Sequence, residues 1–256
     1  MLNKQRTKRT CLSAFSGYFM AVLLALSILY ALQFALKPTR TERVIRILCF
    51  GDSLTTGSGS DNKDHPYSTK LQEYFDVHDQ TVQGASVRPI FEVHNAGMPG
   101  ERAKDEMLPR LNQILRGTRL QYNWVIILGG TNDMRKYYEN ISLQFDIDDS
   151  RSIFHALVEL HNTTHAFGAR SVAVSIPDRE CKGSGTCSNL KETLQKINEL
   201  LRDFTSHNKE KVILADLASE VSLPRDKKLW SDQLHFTQQG YEKMANVIYN
   251  SMKEHV

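Results

Sequence analysis

Two short stretches of this 256-residue chain carry side chains whose types and spacing could do chemistry together. Gly51-Asp52-Ser53-Leu54 sets a hydroxyl beside a carboxylate directly after an apolar run, and Asp232-Gln-Leu-His235 sets a carboxylate three residues before an imidazole. A serine hydroxyl attacks an ester carbonyl only when a general base takes its proton, and an imidazole steadied by a carboxylate is such a base. The chemistry on offer is acyl transfer. Taken alone, Asp-x-x-His reads sooner as the N-cap of the final helix, and Ser53 is what turns it toward catalysis. Ala96-Gly97-Met98-Pro99-Gly100 and Gly129-Gly130-Thr131-Asn132-Asp133 add glycines and an amide that could offer N–H donors. His161 and His165 stand at a helical spacing that can hold zinc, but no third ligand is evident and they read as solvated helix residues. Neither a phosphate-binding loop nor a dinucleotide fingerprint is present, nor the Gly-x-Ser-x-Gly elbow of the α/β-hydrolases. No metal or cofactor is called for.

These residues need a frame. Val44–Phe50, Phe91–Asn95, Trp124–Leu128, Ser171–Ser175 and Val212–Asp216 read as short buried strands. Amphipathic stretches lie between them. One opens on Asn189 with Glu192 completing a capping box, and another runs from about Ser150 to Phe167 and stops at Gly168. A last helix follows Thr237. Strands alternating with helices imply parallel pairing through right-handed crossovers, hence a three-layer α/β/α sandwich on a five-stranded parallel sheet. In such sheets ligands sit beyond the carboxyl ends of the strands, where Ser53, Gly100 and Asn132 all fall.

Four blocks now stand in order: Phe50-Gly-Asp-Ser-Leu, Asn95-Ala-Gly-Met-Pro-Gly100, Gly130-Thr-Asn132-Asp and Asp232-Gln-Leu-His235. In register they resemble the SGNH (GDSL-type) serine hydrolases, and the resemblance spans residues 44–256. It implies the flavodoxin-like SGNH fold and a catalytic triad with Ser53 as nucleophile, His235 as base and then acid, and Asp232 orienting the imidazole. It also implies an oxyanion hole from the backbone N–H groups of Ser53 and Gly100 and the side-chain amide of Asn132. Asp52 and Asp133 are expected to fix their loops by bonding backbone amides. Gly97 is expected to be a turn residue.

The formal charge is +3, yet residues 1–36 hold Lys4, Arg6, Lys8 and Arg9 and no acid, so the rest of the chain is nearly neutral. That distribution argues against a nucleic-acid partner. Thr10–Leu36 carries no charge. Nineteen helical residues rise roughly 28 Å, about a bilayer's hydrocarbon core. The expected organisation is a basic tail (1–14), a transmembrane signal anchor (15–36), a linker (37–43) and the hydrolase domain (44–256). It implies a single-pass protein with the catalytic domain lumenal or extracellular, or a secreted one if the segment is cleaved.

Cys181 and Cys187 flank a Gly/Ser loop and could close as a local disulfide in an oxidising compartment or stay free thiols. Asn140 and Asn162 begin sequons of a kind that chance also supplies. Arg135 and Lys136 could meet an anionic substrate group or be an ordinary surface pair. Phe145, Pro177 and the Asp178–Cys187 loop could line a pocket. The expected activity is hydrolysis of a carboxylic ester through an acyl-enzyme on Ser53, with lysolipids, acyl thioesters or O-acetylated glycans as substrates. An acyltransferase using the same intermediate and a non-catalytic binding module on the same fold are the alternatives.

Overall fold

Strand β1 (Arg43–Gly51) explains the architecture. Its alternate residues Ile45, Ile47 and Cys49 pack into one buried cluster, while Leu48 and Phe50 pack into another on the opposite face. A strand apolar on both faces must be covered on both, so β1 sits at the centre of a layered fold. The computed structural model describes residues 20, 22–30, 43–81, 89–139, 146–181, 186–223 and 225–256. The chain divides between Thr41 and Glu42, and the sheet lies wholly in the unit Glu42–Val256.

β1 pairs in parallel with β2 (Pro89–Gly97) on one side and β3 (Trp124–Leu128) on the other; β4 (Arg170–Val174) and β5 (Val212–Ala215) extend the sheet in the order β2-β1-β3-β4-β5. The helices are α1 (Ser53–Thr56), α2 (Tyr67–Thr81), α3 (Leu108–Gly117), α4 (Arg135–Glu139), α5 (Ile147–Ala166), α6 (Thr186–His207), α7 (Leu217–Glu220) and α8 (Gln238–Met252). A π-turn, Ala103–Met107, leads into α3. Leu71 and Phe75 of α2 and Met244 and Ile248 of α8 cover one face. Leu111 of α3, Ile153 and Leu157 of α5, and Ile197 and Leu201 of α6 cover the other.

The ends follow local chemistry. Asp146 caps α5 by accepting from the Asp148 amide, and Gly168, at φ +82°, closes it beyond Phe167. Thr237 caps α8 through the Gly240 amide. The expected start of α6 at Asn189 is corrected: Thr186, Cys187 and Ser188 are already helical, and Cys187 is bonded to Cys181. Glu192 then accepts from the Ser188 hydroxyl at 2.8 Å instead of completing a capping box.

The transmembrane helix expected over 15–36 is corrected. Among the described residues no helix is long and apolar enough to cross a membrane. Helix is described there only for residue 20 and residues 22–30. The rest of that stretch, most of the 37–43 linker, Asn140 and Phe145 lie outside the described residues.

Candidate active site

The strand β1 ends in a turn that its sequence makes tight. Asp52 caps the one-turn helix α1 by accepting the Leu54 amide at 2.9 Å, and Gly57, at φ +89°, closes it. Ser53 is therefore the first residue of α1, at the carboxyl edge of the sheet and only 6% exposed. Its N–H has no intrahelical carbonyl to meet.

His235 arrives on a loop closed by the antiparallel bridge between Trp230 and Phe236. Ser60 pins that loop near α1: its amide donates to Ser231 Oγ at 2.7 Å. Within the loop Asp232 Oδ1 accepts the Leu234 and His235 amides, each at 2.7 Å, while Oδ2 lies 2.8 Å from His235 Nδ1. On the other side of the ring, Nε2 is 3.0 Å from Ser53 Oγ. Partial burial pushes the Asp232 carboxyl up, but the His235 amide, the imidazole and the Leu234 amide outweigh it and hold the group below its usual value. An ionised carboxylate only accepts, so Nδ1 carries the ring proton and Nε2 is left to accept from the serine hydroxyl. The helix-cap reading of Asp-x-x-His fails on the same observation, since Thr237 caps α8.

Gly100 and Asn132 come together from the loops after β2 and β3. The Asn132 amide has two N–H groups, and one is held by the Glu101 carbonyl at 2.9 Å. Both residues line one cleft. Gly100 adopts φ +82°, a region that disfavours any side chain, and a Cβ there would meet no protein atom. The face that a substrate would approach is thus open. Gly97 is not a turn residue, contrary to the sequence reading: it ends β2, where a Cβ would strike the backbone of Thr55 and Thr56. Its role is close packing of β2 against α1.

Acidic groups lie beneath these donors. Asp133 accepts the Ala103 amide at 2.8 Å and the Lys104 amide at 3.0 Å, tying the loop after β3 to the π-turn. Asp52 is fully buried, and its Oδ2 has no hydrogen-bond partner among the described residues. Burial pushes its carboxyl up to about 7, against the pull of the Leu54 amide, with Asp133 and Glu101 adding repulsion. Sequence reasoning missed Glu101 and Arg110, which form a bidentate ion pair here. Glu101 directly follows Gly100, and that adjacency is the one signal the sequence offers.

A cleft of about 540 Å³ opens beside Gly100 and Asn132. Its walls are mostly charged: Arg102, Lys104, Arg135 and Lys136 face Asp105, Glu106, Asp133 and Asp149, with Ile153 the apolar member. Arg102 pairs with Asp105 and Glu106 at 3.0 and 3.1 Å, and Lys136 pairs with Asp149. Ser53 and His235 do not line this cleft.

The other candidates settle elsewhere. His161 is buried rather than solvated, because its Nδ1 and the Nε2 of His165 converge on the Ser171 hydroxyl at 2.8 and 2.9 Å. Burial lowers His161 to about 3, a neutral ring in the core. Among the described residues no cluster of three His, Cys, Asp or Glu could hold a metal. Cys181 and Cys187 are bonded, their Cα atoms 5.4 Å apart, and Cys49 is a buried thiol. Asn162 is exposed on α5.

Solved structures share the fold. A carbohydrate acetylesterase from Sinorhizobium meliloti matches with a TM-score of 0.60 at 16% identity, covering 82% of this chain and 99% of its own. The lipase/acylhydrolase from Enterococcus faecalis matches at 0.59 and 22% identity, over 82% and 96%. An aryl esterase from M. smegmatis matches at 0.59 and 19% identity, over 83% and 100%. A comparison with curated proteins found no match. Residues 49–243 match the GDSL-like lipase/acylhydrolase family. That span holds Ser53, Gly100, Asn132, Asp232 and His235, and the chain belongs to this family of carboxylic ester hydrolases.

Proposed function

We propose that Ser53, His235 and Asp232 hydrolyse short-chain esters of polar, polyhydroxylated alcohols. The relay from Asp232 through His235 to Ser53 is the observation that carries the chemistry. Ser53 Oγ bonds to the ester carbon as its proton passes to His235 Nε2, and Asp232 stabilises the imidazolium. The carbonyl oxygen takes negative charge opposite the N–H groups of Ser53, Gly100 and Asn132. The bond to the alcohol breaks as His235 returns the proton to the leaving oxygen. Water, deprotonated by the same imidazole, then releases the acid and restores Ser53.

The substrate class rests on the cleft. Charged walls suit hydroxyl-rich groups and offer little to a long acyl chain, whose burial needs apolar surface. Of the three substrate classes compatible with the sequence, this favours O-acetylated glycans over lysolipids and acyl thioesters. That the Sinorhizobium meliloti relative is a carbohydrate acetylesterase supports the same reading. The disulfide supports a site of action in an oxidising compartment.

A panel of esters graded in acyl length, run beside acetylated oligosaccharides, tests this. Acetyl esters of sugars are expected to give the highest kcat/KM, with free acetate as product. A maximum at eight carbons or longer would overturn the substrate class.

A further inference from the structure

The three proposed oxyanion donors come from three separate loops, and one largely buried guanidinium bonds two of them directly and the third through Glu101. Arg110, on α3, donates Nη2 to the Gly51 carbonyl at 3.0 Å and Nη1 to the Ala96 carbonyl at 2.8 Å. Gly51 is the last residue of β1 and Ala96 the last but one of β2, two residues before Ser53 and four before Gly100. Nε donates to Glu101 Oε1 at 2.6 Å and Nη2 to Oε2 at 2.5 Å. Glu101 follows Gly100, and its own carbonyl holds the Asn132 amide at 2.9 Å. The guanidinium also lies over Phe50, its carbon 4.1 Å from the ring centroid. Both side chains are nearly out of solvent, at 16% and 7% exposure.

We propose that Arg110, held in its bidentate pair with Glu101, is the positioning residue that fixes the mutual geometry of Ser53, Gly100 and Asn132. The inference rests on the esterase reading above. A buried ion pair contributes little net stability over packed apolar side chains, so stability alone does not call for one here. Planar geometry does call for it. Only a guanidinium can bond two carbonyls and a carboxylate in one plane while stacking on a ring; a lysine at that site is a point charge with one reach. Misplacing a donor by about 1 Å costs on the order of 100-fold in rate, because its hydrogen bond must meet the oxygen of the transition state.

Arg110 touches neither His235 nor Asp232, and this separates positioning from general loss of structure. The test compares wild type, Arg110→Lys, Arg110→Met and Glu101→Gln in full-length protein. It reads kcat and KM on an acetyl ester, the pH–rate profile, affinity for a boronic acid that mimics the tetrahedral intermediate, and melting temperature. Both Arg110 variants are expected to lose roughly 10- to 100-fold in kcat and a similar factor in boronate affinity, with KM within about twofold and the profile's midpoint unmoved. Glu101→Gln keeps one arm of the pair and is expected to lose roughly tenfold. A folded Arg110 variant with wild-type kcat, or one changed only in KM, overturns the proposal. If the Arg110 variants do not fold, Glu101→Gln decides, and an unchanged kcat there overturns it. A wild type that hydrolyses no ester sinks the esterase reading itself, a failure distinct from equal activity across the series.

Discussion

The Nε2 of His235 stands 3.0 Å from the Ser53 hydroxyl oxygen across 182 residues of chain. Nothing local brings them together. The sheet carries Ser53 to its carboxyl edge, and the Ser60–Ser231 contact holds the His235 loop over it. Because Asp232 spends one oxygen on two amides of its own loop, the other is aimed at the ring.

That geometry makes the two residues act as a unit. Ser53→Ala and His235→Ala are each expected to lower kcat by up to roughly a millionfold, and the double variant by little more, with unchanged circular dichroism. Additive losses would mean that the two do not share one step.

Asn132→Ala removes one donor and leaves the relay intact. A loss of about 100- to 1000-fold in kcat with little change in KM is expected from steady-state kinetics. A variant altered only in KM would place Asn132 in ground-state binding.

If His235 is the base, it cannot take the Ser53 proton once it holds one of its own. Activity is therefore expected to fall on acidification. Asp232, held below its usual value, is not the first of the two to take up a proton. A rate that does not change on acidification contradicts the assigned base.

Asp52 makes a second pH prediction, of opposite sign to the usual carboxylate. Burial raises its carboxyl from 3.8 to about 7, so between those values the folded chain keeps a proton that the unfolded chain has released. Stability is therefore lost as pH rises through that window, and the full cost stands above it. Asp52→Asn can still accept the Leu54 amide and never ionises. Its melting temperature relative to wild type is expected to climb between about pH 4 and pH 7, and a constant difference would refute the buried charge.

Reduction frees Cys181 and Cys187 and relaxes a loop with a sequence separation of 6. Chain entropy puts the loss at about 2 kcal/mol, or roughly 5 °C in Tm for a domain of this size. Differential scanning calorimetry with and without reductant checks it, and an unchanged Tm would show that α6 holds its start unaided.

Much of the fold and of the relay is legible in the amino-acid sequence. Trp124–Leu128 reads as a strand from its apolar run alone, and the edge residues follow because parallel strands deliver their loops to one side. Ser53, Asp232 and His235 stand in motifs whose spacing reflects local turns, which sequence records well. The Arg110–Glu101 pair is illegible because tertiary packing makes it: on an amphipathic helix an arginine looks like any surface charge. Gly97 misleads for the same reason, since a glycine needed for close packing and one needed for a turn are the same letter. Asn189 lies inside α6 although it reads as its cap, because a capping pattern is local and does not exclude helix ahead of it.

The most direct test of the central claim is active-site labelling of the full-length protein with a fluorophosphonate, located by peptide mass spectrometry. The expected result is one adduct, on Ser53, absent in Ser53→Ala and greatly slowed in His235→Ala. An unlabelled wild type, or equal labelling of Ser53→Ala, would contradict a serine hydrolase built on this relay.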